Sequence, residues 1–143
     1  MKDNLFREIF HKGIHISTHV RPEESEPGLS FVTTDDKFLQ LGIWNYEKGH
    51  NLPAHFHNEF ERSSSKTNEF VFVMKGSIEC NLYTEEGSFI ESVVVSANEG
   101  ILMHELSHEY RIIEDAIILE SKNGPFMGVE KDKTVINVKK PKN

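Results

Sequence analysis

Apolar and polar positions alternate with a period of two along most of this chain. Residues 14–20 set Ile14, Ile16, Thr18 and Val20 against His15, Ser17 and His19, which predicts a strand. Residues 3–10 depart from that period. Leu5, Phe6, Ile9 and Phe10 fall on one helical stripe, with Asp3 or Asn4 available as a cap, so one short N-terminal helix is expected. The acidic, proline-containing stretch 21–28 reads as a loop. Strand-like runs follow at 29–33 and 37–46, separated by the turn signal Asp35-Asp36. From residue 69 onward, short β-branched or aromatic segments recur at intervals of roughly ten residues, with Gly, Asn, Asp and Glu between them. The stretch 83–89 reads as a hairpin tip. The Lys-rich tail 130–143 offers one edge strand at Thr134, Val135 and Ile136 and is expected to fray beyond it. The pattern predicts an all-β domain, an antiparallel sandwich or barrel.

Alternation also assigns faces. Glu69, Val71 and Val73 share one side of their strand, and Phe70, Phe72 and Met74 share the other. Both sides are largely apolar, so the strand is expected to be covered on both, one side by another sheet. One short helix covers Phe70, Phe72 and Met74 poorly, which points to a homodimer. Ile78, Cys80 and Leu82 point the same way, which makes Cys80 a buried small hydrophobe.

Composition narrows the classes. The 143 residues are the size of one domain, and ten Phe argue against disorder. A formal net charge of −7 disfavours a nucleic-acid partner. The amino terminus lacks the apolar core of a signal peptide, and no apolar run is long enough to span a membrane, so a cytoplasmic protein is expected. One cysteine allows neither an internal disulfide nor a Cys-rich metal module.

The excess lies in histidine, with eight residues. His55 and His57 stand two apart, so on a strand both imidazoles face one side and suit adjacent positions on one metal ion. Gly49 precedes His55 by six residues, and Glu69 precedes Gly76 by seven. His108 opens a later strand, where Tyr110 shares its parity and points inward as core or as a proton donor. Glu61 competes with Glu69 as the carboxylate, because Glu59 and Glu61 keep the parity of His57 if that strand runs on. Arg62 and Lys66 are either solvated loop charges or a clamp for an acidic group. His15 and His19 read as a solvated strand face, with His11 in the same neighbourhood. His50 reads as an exposed turn residue, and His104 as a side chain near the mouth of the site.

These residues resemble the cupin superfamily. Gly49-(x5)-His55-Phe-His57 and Glu69-(x6)-Gly76 follow its first motif, and His108 falls where the second contributes a histidine. Eleven residues separate His57 from Glu69, where three or four are usual. Ala97, Met103, Glu105 and Ile112 replace the usual Gly, Pro, Gly and Asn of the second motif. A narrower resemblance, through His55 to Asn58, Arg62, Lys66 to Glu69 and Glu120 to Phe126, is to small stand-alone cupins that accompany surface-sugar biosynthesis. The resemblance implies a double-stranded β-helix, a jelly-roll barrel, here one domain over 1–143 with its barrel core about 29–129. It also implies one divalent ion (Mn, Fe, Ni, Co or Zn) held by His55, His57, Glu69 and His108. Such a ligand set leaves one or two positions for water or substrate. The function expected is a metal-dependent isomerase or epimerase acting on a carbohydrate or nucleotide-sugar. The alternatives are a non-catalytic cupin that binds a sugar acid and an iron-dependent dioxygenase.

Overall fold

The computed structural model describes residues 2–139, and the expected fraying of 140–143 lies outside them. Its strands are β1 (Phe6–His11), β2 (Ile14–Val20), β3 (Gly28–Phe31), β4 (Gly42–Asn45), β5 (Glu69–Tyr83), β6 (Phe89–Ser96), β7 (Gly100–Met103) and β8 (Ser107–Lys122). Two four-residue helices, α1 (Lys2–Leu5) and α2 (Val129–Asp132), and one 3-10 turn at Pro22–Glu24 complete the elements. All strand pairings are antiparallel. The protein is therefore all-β, as the alternation predicts. No helix is long and apolar enough to cross a membrane.

The long strand β5 organises the molecule. Its first four residues pair with β7, its last seven pair with β6, and β8 runs along the other edge for nearly its whole length. The β1–β2 hairpin joins through β2 and β7. Gly76 interrupts β5 without ending it. Three register shifts against β8 cluster there, and Gly76 has φ +77°, in the left-handed region that a residue with a Cβ enters at a cost. The facing residues consequently switch from Val71 and Val73 to Ile78, Cys80 and Leu82, all of them buried. Both groups enter one core with Ile9, Ile16, Val95 and Ile101, so the two halves of the bent sheet cover each other. Cys80 is fully buried within it, as its position predicts.

Four expectations are corrected. The apolar stripe 5–10 is not a helix, since α1 stops at Leu5 and β1 follows. A bulge between Ile9 and Phe10 breaks the alternation there and imitates a helical period. The core does not begin near residue 29, because Ile9 and Ile16 belong to it. The described strands do not close into a barrel. β3 and β4 form a separate two-stranded sheet, with Leu29, Phe31 and Trp44 exposed. Residues 134–136 form no strand, although Lys139 makes an isolated bridge with Ser88.

Candidate functional site

The bend at Gly76 builds the site. Glu69 opens the first half of β5, whereas His108 and Tyr110 lie opposite Leu82 and Cys80 in the second half. Folding one half over the other sets the Glu69 carboxylate 3.4 Å from His108 Nε2, and the Tyr110 hydroxyl donates to Glu69 Oε1 at 2.9 Å. The hydrogen bond from His108 holds the Glu69 carboxyl below its ordinary range against the opposing effect of burial, and the Tyr110 hydroxyl adds to the first effect. Burial pushes the Tyr110 hydroxyl well above its usual range, so it remains a donor. Glu69 and His108 line a cleft of about 540 Å3, and Lys66, His104 and Glu105 lie along the same cavity. Tyr110 is absent from that lining and stands behind Glu69, which makes it a positioning residue rather than a group facing a ligand.

The second pair of expected ligands lies elsewhere. No strand carries His55 and His57. The stretch 46–68 between β4 and β5 has no regular structure, and both histidines are exposed. The parity argument needs a pleated strand with a neighbour to pair with. Here Pro53 and a run of polar residues supply neither. The two rings still meet edge to face at 5.2 Å between centroids. His55 Nδ1 donates to the Pro53 carbonyl at 2.9 Å, the kind of bond that leaves Nε2 to a ligand. Glu61 is exposed on the same stretch. The Arg62 guanidinium lies 3.4 Å above the Phe60 ring, and Arg62 does not line the cleft. Lys66 does line it, but its ammonium is paired with Glu105.

Among the described residues, no three His, Cys, Asp or Glu side chains converge closely enough to hold a metal ion. The four expected ligands stand instead as two pairs. Two ligands with bonds of roughly 2.0–2.2 Å around one tetrahedral ion sit about 3.4 Å apart. The 3.4 Å separation of Glu69 and His108 matches that spacing.

His15 and His19 do not form the solvated strand face that their parity predicts. β2 is an interior strand, flanked by β1 and β7. His19 is buried and bonded to Glu99 at 2.9 Å. His15 stacks on Phe10 and lies 4.3 Å from the His104 ring. Thr18 Oγ1 bridges the two, 2.8 Å from His15 Nε2 and 3.1 Å from His104 Nε2. His50 is exposed and stacks on Tyr46.

Sequence reasoning missed part of the cleft lining. Lys131, Asp132, Lys133, Thr134 and Val135 belong to it. They lie in a lysine-rich stretch whose local pattern matches a solvated tail, so no periodicity marks them. No known protein family, curated protein or solved structure matches this chain.

Proposed function

We propose that the chain binds a carbohydrate or nucleotide-sugar in the cleft above Glu69 and His108 and holds one divalent ion there. The observation that supports this reading is the approach of Glu69 to His108 at the cleft wall. His55 and His57 would complete the ligand set if the stretch 46–68 folded over the cleft, and an ion held there would supply Lewis acidity to a bound carbonyl. A proton moved from the adjacent carbon, as an isomerase or epimerase requires, would go to the Glu69 oxygen that does not hold the ion, with Tyr110 orienting the carboxylate. The test is metal analysis of untagged protein dialysed against Mn, Fe, Ni or Zn. About one equivalent is expected in the wild type and little in Glu69→Gln/His108→Ala. His55→Ala/His57→Ala should bind at least tenfold more weakly than the wild type. Wild-type protein that retains no metal, or a Glu69→Gln/His108→Ala protein that retains as much as wild type, would overturn the ion.

One observation favours a second reading, a metal-free binder of a sugar acid. Glu69 already has two protein partners and needs no cation to satisfy it.

We also propose a homodimer. Met74, Ile117 and Leu119 are exposed beside Phe70 and Phe72 on the outer face of β5 and β8, a continuous apolar surface that a second copy would cover. Sedimentation at micromolar concentration should give twice the chain mass, and a strictly monomeric boundary would remove the dimer.

A further inference from the structure

We propose that Lys131 and Lys133 form an anion subsite, and that the ligand of the cleft is therefore a small hydroxylated acid. The inference rests on the reading that this cleft is the ligand site, and it names the ligand's chemistry. The two ends of the stretch that carries these lysines are tied down. Asp132 accepts from Lys122 of β8 at 3.4 Å and from the Thr67 hydroxyl at 3.5 Å. Downstream, the Lys139 backbone N–H donates to the Gly87 carbonyl at 2.8 Å. Gly87 has φ +82°, and a Cβ there would overlap the Asn137 carbonyl oxygen, so the β5–β6 turn is moulded against this segment. The segment that carries the lysines is thus anchored to β8, to Thr67 just before β5 and to the β5–β6 turn.

The charges that line the cavity differ in their partners. Lys66 is neutralised by Glu105, and Asp132 is neutralised by Lys122. Lys131 and Lys133 flank Asp132 and enter no ion pair among the described residues. Lys131 and Lys133 thus bring two positive charges to a cavity that Glu69, Glu85 and His108 also line. A carboxylate accepts hydrogen bonds from hydroxyls and repels an acid group, whereas ammonium groups attract the acid group. A ligand satisfies both kinds of group when its acid lies at Lys131 and Lys133 and its hydroxyls lie at Glu69. A cavity of about 540 Å3 accommodates a molecule of this kind. A carboxylate and a phosphate share the chemistry that the lysines read.

Calorimetric titration of the full chain with glucuronate, glucose 6-phosphate and glucose tests this. At least one acid should bind about tenfold more tightly than glucose. Lys131→Gln/Lys133→Gln should erase that margin and leave glucose binding unchanged. The better of the two acids identifies carboxylate or phosphate as the group held. Equal binding of acids and glucose, or an undiminished margin in the double variant, would overturn the subsite. The cleft reading would survive that result if Glu69→Gln still weakened all three sugars. Binding of none of the three would overturn both.

Discussion

Gly76→Ala is expected to destabilise the fold by about 3 kcal/mol or more, well beyond an ordinary glycine-to-alanine change in a strand. Two costs coincide at this position. The left-handed backbone, φ +77°, costs a residue with a Cβ roughly 1–2 kcal/mol. The Cβ would also overlap the Asp115 carbonyl oxygen, a backbone atom of the neighbouring strand that cannot rotate away. Relief requires β8 to move relative to β5, and that movement carries His108 and Tyr110 away from Glu69. Gly13→Ala is the control. Gly13 has φ +79° and nothing within 4 Å of its added Cβ, so it should show the conformational cost alone. Urea midpoints of the two variants measure the difference. Equal losses at Gly13 and Gly76 would mean that the bend yields to the extra atom.

Acid should destabilise the protein between pH 7 and pH 5, above the range in which carboxylates titrate. Burial lowers His104 to about 4 from its ordinary 6.5, with further contributions from His15 and Lys37 against Asp36. Burial likewise lowers His15, which Glu8 partly offsets, and His19, which Glu99 partly offsets. A histidine whose folded value lies below its unfolded value binds fewer protons when folded. Its full contribution to stability is present above pH 6.5 and is lost as pH falls toward the folded value. At roughly 1.36 kcal/mol per pH unit, His104 alone accounts for up to about 3 kcal/mol by pH 4. Glu69 is displaced in the same direction from 4.5, so its loss begins below that of the histidines. Unfolding of the wild type and of His104→Gln at a series of pH values separates the two. The variant should show a shallower fall above pH 5, and identical slopes would assign the fall to other groups.

The sequence was most informative where one local rule governed the outcome. Strand β2, the β5–β6 hairpin and the buried Cys80 all follow from alternation. The approach of Glu69 to His108 was legible only through the resemblance, since they lie 39 positions apart in the printed chain. Gly76 closes the apolar run that Glu69 opens, yet it bends the strand and does not end it. Local sequence cannot separate these, because a glycine after an apolar run serves either use. At residues 5–10 a bulge displaced the alternation and produced a helical stripe. At His55 and His57 parity carries no information, because no strand pairs there. The lysines of 131–133 gain their position from Lys122, Thr67 and Gly87, contacts that no window of sequence contains.

The order of strands across the sheet bears on how the chain is made. β5 and β6 are joined by the short turn 84–88 and can form a hairpin soon after synthesis. β2 must wait for β7, because its residues 17–20 pair with 100–103, some eighty positions later. Until then the β1–β2 hairpin leaves the ribosome with its core residues Ile16 and Val20 uncovered, and an isolated two-stranded hairpin is marginally stable at best in water. Closure of that long loop, rather than formation of any hairpin, sets the pace at which the nascent chain hides its first strands from chaperones and proteases.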